Sequence, residues 1–87
     1  MPRRVIVREI RGIPFFLLVE YLQEMGGKQI SEGHVQAPAW DVFLTRMEPF
    51  RIGSLEVGQT RLEIQVEDAF AEEFIRRLGQ KTLRAGG

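Results

Sequence analysis

Residues 4–27 read RVIVREIRGIPFFLLVEYLQEMGG and contain two hydrophobic patterns of different period. The β-branched residues within Arg3–Arg11 predict a β-strand. Gly12 ends this strand, and Pro14 suits the first turn of a helix, because the N–H that proline lacks has no partner there in any case. The helix ends at Gly26-Gly27, and its apolar stripe comprises Phe15, Leu18, Leu22 and Met25. Such a stripe is expected to pack on a sheet.

Four more strands are predicted between residues 28 and 67. Residues 28–37 are typical of a short, irregular strand, and residues 40–47 of a strand that is apolar on both sides. Residues 50–57 and 60–67 follow as two further strands. Turns are predicted between these strands at Glu48-Pro49 and at Val57-Gly58-Gln59.

The last strand has the clearest alternation. Leu62, Ile64 and Val66 point to one side and charged or polar residues to the other, as in an antiparallel sheet with one face in water. Asp68 then occupies an N-cap position of a second helix. The apolar side of that helix is predicted to comprise Phe70, Ala71, Phe74, Ile75 and Leu78.

The predicted order is therefore β-α-β-β-β-β-α. This order indicates an α+β fold, a two-layer sandwich in which an antiparallel sheet carries both helices on one face. The inner face of the first strand is either Val5 and Val7 or Ile6 and Ile10. We expect a single domain over residues 1–79 and a flexible C-terminal tail over residues 80–87.

The composition limits the classes of partner and compartment. The chain has 87 residues, a length typical of one small domain. It has 12 basic and 12 acidic residues, which disfavours nucleic acid and anionic membranes as partners. It has no cysteine, and no apolar run reaches the roughly 18 residues of a membrane span. We therefore expect a cytoplasmic protein.

Two segments carry a resemblance to a known family. GIPFFLLVEYLQEMGG and EPFRIGSLEVGQTRLEIQVE, with the glycine-ended tail, resemble a domain of unknown function. That domain forms the C-terminal half of proteins related to the molybdopterin synthase small subunit, the sulfur carrier of molybdenum cofactor synthesis. The likeness covers about residues 11–87. It implies a fold like that of the TATA-binding protein and no known activity.

The polar residues offer few candidates for chemistry. His34 is the only histidine, and it has no second histidine with which to form a metal motif. Asp41 is expected to face solvent beside a core tryptophan. Four arginines at residues 3, 4, 8 and 11 are best explained as the charges that guard an edge strand. We therefore expect no catalytic residue, no metal site and no cofactor.

The surplus of large apolar side chains predicts an interface. A domain of this size cannot bury all of them, and exposed aromatic and methionine side chains are typical of contacts with a partner or a second copy. The candidate interface residues are Phe16, Tyr21, Phe43 and Met47.

These observations favour a non-enzymatic accessory or protein-interaction domain that binds a protein partner or forms a homodimer. A link to molybdenum-cofactor or sulfur-carrier metabolism comes from the resemblance alone. The first alternative is a carrier substrate that is activated at its C-terminal Gly86-Gly87, as ubiquitin-like sulfur carriers are. The second is a small-ligand binder that uses the groove between helix and sheet.

Overall fold

The order of elements is strand, helix, four strands and helix, as the sequence predicts. The computed structural model describes the backbone of residues 2–86 and the side chains of residues 2–83. A short 3₁₀ turn, Asp68–Phe70, precedes the second helix. The elements are β1 (Arg3–Arg11), α1 (Phe15–Glu24), β2 (Lys28–Ser31), β3 (His34–Ala37), β4 (Trp40–Ile52), β5 (Leu55–Glu67) and α2 (Ala71–Gly86).

The five strands form one antiparallel sheet in the order β1-β5-β4-β3-β2. Three two-residue turns join consecutive strands, at Glu32-Gly33, Pro38-Ala39 and Gly53-Ser54. The first and last strands are neighbours, and β1 pairs with β5 over its whole length, from Arg3 opposite Glu67 to Arg11 opposite Gln59. As a result, β1 and β2 lie at the two edges of the sheet.

The strand boundaries differ from the predicted ones. The single strand predicted over residues 28–37 is a hairpin, β2 and β3. The turn predicted at Glu48-Pro49 lies inside β4, where a register irregularity between Met47 and Phe50 accommodates the proline. The turn predicted at Val57-Gly58-Gln59 lies inside β5. The chain reverses instead at Gly53, whose φ of +61° suits glycine.

The predicted glycine stop of α1 is confirmed. Gly26 has a φ of +101°, and its N–H donates to the carbonyl of Gln23 at 3.0 Å. The N–H of Gly27 donates to the carbonyl of Leu22, also at 3.0 Å. This pair of bonds is a Schellman motif, which satisfies two carbonyls at the end of the helix and turns the chain into β2.

Both helices pack on one face of the sheet. Leu62, Ile64 and Val66 are fully buried there, as the alternation of β5 predicts. From α2, Ala71, Phe74 and Leu78 join the same core. Phe70 does not, because it lies in the 3₁₀ turn before α2, and its side chain is exposed.

The register with β5 decides the inner face of β1. Ile6 lies opposite Ile64 and packs against the core, as does Ile10. Val5 and Val7 therefore point to the other face of the sheet, where both are exposed.

Helix α2 continues beyond the predicted end of the domain. Residues 80–86, predicted as part of a flexible tail, are helical in the structure, so residue 79 is not an element boundary. The ammonium of Lys81 lies 2.6 Å from the carboxylate of Glu24 and joins α2 to α1. Gly87 lies outside the described residues, and the flexibility of the tail stays a prediction.

Candidate functional site

The sheet face that points away from the helices is the candidate site, and we call it the open face. The strand register places side chains on it in transverse rows. One row comprises Val7, Glu63, Phe43 and His34, from β1, β5, β4 and β3. The next row comprises Val5, Gln65, Asp41 and Gln36.

Asp41 is the most unusual residue of this face. Antiparallel alternation directs it away from the core, yet the residue is only 9% exposed. Its carboxylate accepts a hydrogen bond from Arg3 Nη1 at 2.6 Å and lies 2.7 Å from His34 Nε2. A third contact, from Gln36 Nε2, measures 3.0 Å. We call these four residues the Asp41 cluster.

Three strands contribute to the Asp41 cluster. Arg3 reaches it from β1 across the intervening β5, and Arg3 Nη2 also donates to the carbonyl of Pro38 at 3.5 Å. His34 and Gln36 reach it from β3, where Gln36 lies directly opposite Asp41. The cluster therefore fixes the positions of polar side chains over the full width from β1 to β3.

The cluster changes the acidity of Asp41. Burial opposes ionisation of the carboxyl, but the hydrogen bonds from Arg3, His34 and Gln36 and the charge of Arg3 outweigh it, so the pKa of Asp41 lies below its usual value. The carboxylate is thus held ionised beside a guanidinium, which gives the centre of the open face a fixed arrangement of opposite charges.

An aromatic pair lies next to the cluster. The rings of His34 and Phe43 stack with centroids 4.3 Å apart and planes at 23°. Phe43 is 36% exposed, and Val5, one row away on β1, is 61% exposed. Apolar side chains thus remain accessible beside a rigid polar network, a combination that is typical of protein-interaction surfaces.

The four predicted interface residues do not form one patch. The register of β4 places Phe43 and Met47 on the open face, two side chains apart. Phe16 is 65% exposed but belongs to α1, on the other side of the molecule. Tyr21, also in α1, is half-buried against the core, with the ammonium of Lys81 6.0 Å from its ring centroid. Their role in an interface stays a prediction.

Two features of the site differ from what the sequence predicts. Asp41 does face away from the core, but the expectation of a solvated side chain was wrong, because partners from β1 and β3 cover it. The signal was available in the turn Pro38-Ala39, since a two-residue hairpin there aligns Gln36 with Asp41. Val5 and Val7 belong to the open face but were not among the predicted interface residues.

A separate apolar cavity lies at the other side of the sheet, between the start of α2 and the β3–β4 turn. Its volume is about 290 Å³. Trp40, Phe70 and Phe74 form its aromatic walls, and Arg77 lies at its rim. The groove between helix and sheet that the sequence analysis proposes for a small ligand stays a prediction, and this cavity is a candidate for it.

No group of three or more histidine, aspartate or glutamate side chains in residues 2–83 is arranged to hold a metal ion. In the described part of the chain, neither helix is long and apolar enough to cross a bilayer.

The fold and the open face define a two-layer α+β domain with one sheet face that the described helices leave uncovered. The chain belongs to the family of archaeal MoaD-like proteins, which matches residues 6–87. This match confirms the resemblance to the domain related to the molybdopterin synthase small subunit. A comparison with curated proteins finds no match.

Proposed function

We propose that the protein is a non-enzymatic interaction domain that serves molybdenum-cofactor or sulfur-carrier metabolism in the cytoplasm. Its partner in this proposal is a ubiquitin-like sulfur carrier or the enzyme that activates such a carrier. The family match supports the metabolic context, because the family is described as MoaD-like. The open face supports the proposal that the domain acts by binding another protein.

A single observation carries the proposal: accessible apolar side chains lie on the open face beside polar groups held by the Asp41 cluster. Phe43 stacks on His34, whose other contact is Asp41 at 2.7 Å. Because these side chains are already fixed, a partner that covers Phe43 and Val7 would bury apolar area at a low cost in side-chain entropy. A flexible surface of the same composition would lose more side-chain entropy on binding.

Binding of paired phenylalanine variants tests this proposal. Phe43→Lys places a positive charge on the open face. The lysine lies opposite Glu63 on β5, and a cross-strand pair of opposite charges does not destabilise the sheet. Phe16→Lys makes the same change on α1 at a more exposed site. We expect Phe43→Lys to weaken binding to the sulfur carrier or its activating enzyme by about tenfold or more in calorimetry, as loss of an interface anchor does.

The Phe16→Lys variant is the matched control and should bind like the wild-type chain. Equal affinities for both variants, or a loss of affinity confined to Phe16→Lys, would show that the partner does not bind at the open face. Absence of binding by the wild-type chain to either protein would reject the proposal.

The second candidate is a carrier substrate that is itself activated at Gly86-Gly87. The observation in its favour is that the family match extends to residue 87 and so includes the Ala-Gly-Gly end. Helix α2 includes Gly86, so activation would require the last helical turn to unwind. Glycine weakens a helix, which lowers the free-energy cost of this unwinding.

Intact mass separates the two candidates. The chain with Gly87 as its last residue is incubated with a sulfur-carrier activating enzyme, ATP and a sulfur donor. A carrier would gain about 16 Da as sulfur replaces one carboxylate oxygen, and deletion of Gly86 and Gly87 would abolish that gain. We expect no gain for an interaction domain. A gain that depends on the two glycines would contradict our proposal and establish the carrier.

A further inference from the structure

Strand β1 is a long and regular edge strand. Its nine residues pair with β5 without a register shift, and the strand contains no proline. Its sequence RRVIVREIR keeps a high β-branched content. No strand among the described residues pairs with its outer side. Edge strands of this kind are templates for pairing with another strand unless the protein blocks them.

The backbone of β1 shows which groups face outward. The N–H of Gly12 donates to the carbonyl of Gly58 at 2.9 Å, and the carbonyl of Pro2 accepts from Asp68 at 3.2 Å. Hydrogen bonding alternates along an antiparallel strand, so even-numbered residues bond to β5. The odd-numbered residues, Val5 and Val7 among them, therefore direct their N–H and C=O groups away from the sheet.

The arginines of β1 block this edge less than their number suggests. Arg3 is bound to Asp41 at 2.6 Å and Arg4 to Asp68 at 3.0 Å, both within the same chain. The guanidinium of Arg11 stacks on the ring of Phe50 at 3.9 Å. Arg8 alone contacts the outward edge, where its Nη1 donates to the carbonyl of Val7 at 3.3 Å.

We propose that two copies of the chain associate through their β1 strands. The strands pair antiparallel about a two-fold axis at Ile6, and the two sheets become one continuous ten-stranded sheet. In this register Val5 lies opposite Val7 of the second copy, and Arg3 lies opposite Glu9 of the second copy. About eight backbone hydrogen bonds form between the outward groups of the two strands.

The choice of register follows from the side chains. Pairing about Ile6 brings four exposed valines together on the open face, where each pair of facing valines can bury apolar area. It also places Arg3, which stays bound to Asp41, opposite a carboxylate and not opposite a second cation. Pairing about Val7 instead places Arg3 opposite Arg11 and Val5 opposite Glu9. The first register therefore fits a second copy better than the next one does.

The helix layer leaves room for the second strand. A groove of about 520 Å³ runs between β1 and α2 and is lined by Arg4, Ile6, Arg8 and Glu72, among others. In the proposed register Ile6 lies opposite its own counterpart at this groove. Arg8 of the second copy lies opposite Arg4, whose guanidinium is already paired with Asp68. Arg76, which also lines the groove, is paired with Glu73, and the carboxylate of Glu72 lies in the same groove. These carboxylates offset the like charges on this side.

Sedimentation of two valine variants tests the pairing. Val7→Pro removes an N–H that points outward, a position at which edge strands accept proline. Val7→Thr keeps that N–H and the β-branched shape. We expect the wild-type chain and Val7→Thr to dimerise at concentrations between about 1 and 200 µM, and Val7→Pro to sediment as a monomer with a folded circular dichroism spectrum.

Disulfide cross-linking tests the register and does not depend on the folding of the proline variant. The natural chain has no cysteine, so a single introduced thiol reports one position. In the proposed dimer of Ile6→Cys, the two introduced cysteines form a non-hydrogen-bonded pair. Their Cα atoms lie about 4.5 Å apart, which is within the range of a disulfide bond. Two Arg8→Cys chains lie about 13 Å apart along the strands and serve as the control.

We expect Ile6→Cys to form a covalent dimer under mild oxidation and Arg8→Cys to remain uncrosslinked. A wild-type chain that is monomeric over the whole concentration range overturns the proposal. A dimer that persists in folded Val7→Pro, or faster cross-linking of Arg8→Cys than of Ile6→Cys, overturns it as well. None of these results depends on the sulfur carrier, so the dimer is tested independently of the proposed function.

Discussion

Asp41 shows how one residue organises the open face. A carboxylate that is nearly buried on the side of a sheet opposite the core loses hydration, and this loss destabilises the charged form. Nitrogen atoms of Arg3, His34 and Gln36 lie within 3.0 Å of the carboxylate oxygens and compensate for the lost hydration. Because Arg3 and His34 belong to different strands, the carboxylate also joins β1, β4 and β3 through side chains.

Asp41→Asn should therefore destabilise the fold. The amide keeps the shape of the side chain but removes the charge and places an NH₂ group among donors, so we expect a loss of about 1–3 kcal/mol in the free energy of unfolding. Urea denaturation measures it. The control is Asp68→Asn. The carboxylate of Asp68 contacts Arg4, and both side chains are about half exposed, so we expect this variant to lose less than about 1 kcal/mol in the free energy of unfolding. Equal losses for the two variants would contradict the role given to Asp41.

The stability of the wild-type chain should also depend on pH through Asp41. Its pKa is lower in the folded state than in the unfolded chain, so its contribution is fully present above the unfolded pKa of about 3.9 and is lost as the pH falls through the folded-state pKa. Thermal unfolding below pH 4 should be less pH-dependent in Asp41→Asn than in the wild-type chain. Parallel pH profiles would show that Asp41 does not titrate as described.

The sequence alone could identify the face on which Asp41 lies but not its burial. Strand alternation separates Asp41 from Trp40, and the structure agrees. The burial depends on Arg3, which is 38 residues away in sequence and reaches Asp41 only because β1 pairs with β5. Long-range pairing of this kind has no local signal, so the contact of Arg3 with Asp41 could be seen only in the folded chain, whereas the Pro38-Ala39 turn could have indicated the contact of Gln36.

The junction of α1 and β2 depends on two adjacent glycines for different reasons. Gly26 adopts a left-handed conformation, which ends the helix. At Gly27 the constraint is packing: a Cβ atom there would lie 2.5 Å from the side chains of Trp40 and Val35. Those residues belong to the core, so the helix end is pressed against the sheet at this point.

Gly27→Ala should be strongly destabilising. Neither Trp40 nor Val35 can move without disturbing the core, and we expect a loss of about 2–3 kcal/mol, as for other overpacked sites. Gly58→Ala is the matched control, because a Cβ atom at Gly58 meets no atom within 4 Å; we expect a change of less than about 1 kcal/mol. Chemical denaturation of both variants measures the difference. A tolerated Gly27→Ala would mean that the junction is looser than the structure shows.

Element types could be predicted from the sequence more reliably than element limits. The periodicity of the helices and of β5 is local, and each of these elements lies where its pattern predicts, although β5 begins earlier and α2 ends later than predicted. The signals at Pro49 and Gly58 are equally local but were overridden, because the two long strands β4 and β5 continue to pair around them. A proline or a glycine marks a possible turn, and strand pairing decides which of the marked positions the chain uses.

The two faces of the sheet have different roles in the molecule. One face packs against α1 and α2 and forms the core, in which Leu18, Leu22 and Leu62 are fully buried. The other carries the Asp41 cluster with Phe43 and Val7 beside it. A β1-paired dimer would join two such faces into a single surface, so that the proposed partner would meet a sheet of twice the width.

Nuclear magnetic resonance titration locates a binding surface residue by residue and so shows whether a partner binds at the open face. The ¹⁵N-labelled chain is titrated with a ubiquitin-like sulfur carrier and, separately, with its activating enzyme. We expect the amide shifts that change to belong to the open-face rows, with Val7, His34 and Phe43 at their centre, and those around Phe16 to stay unchanged. Changes confined to the helices, or no change with either protein, would contradict it.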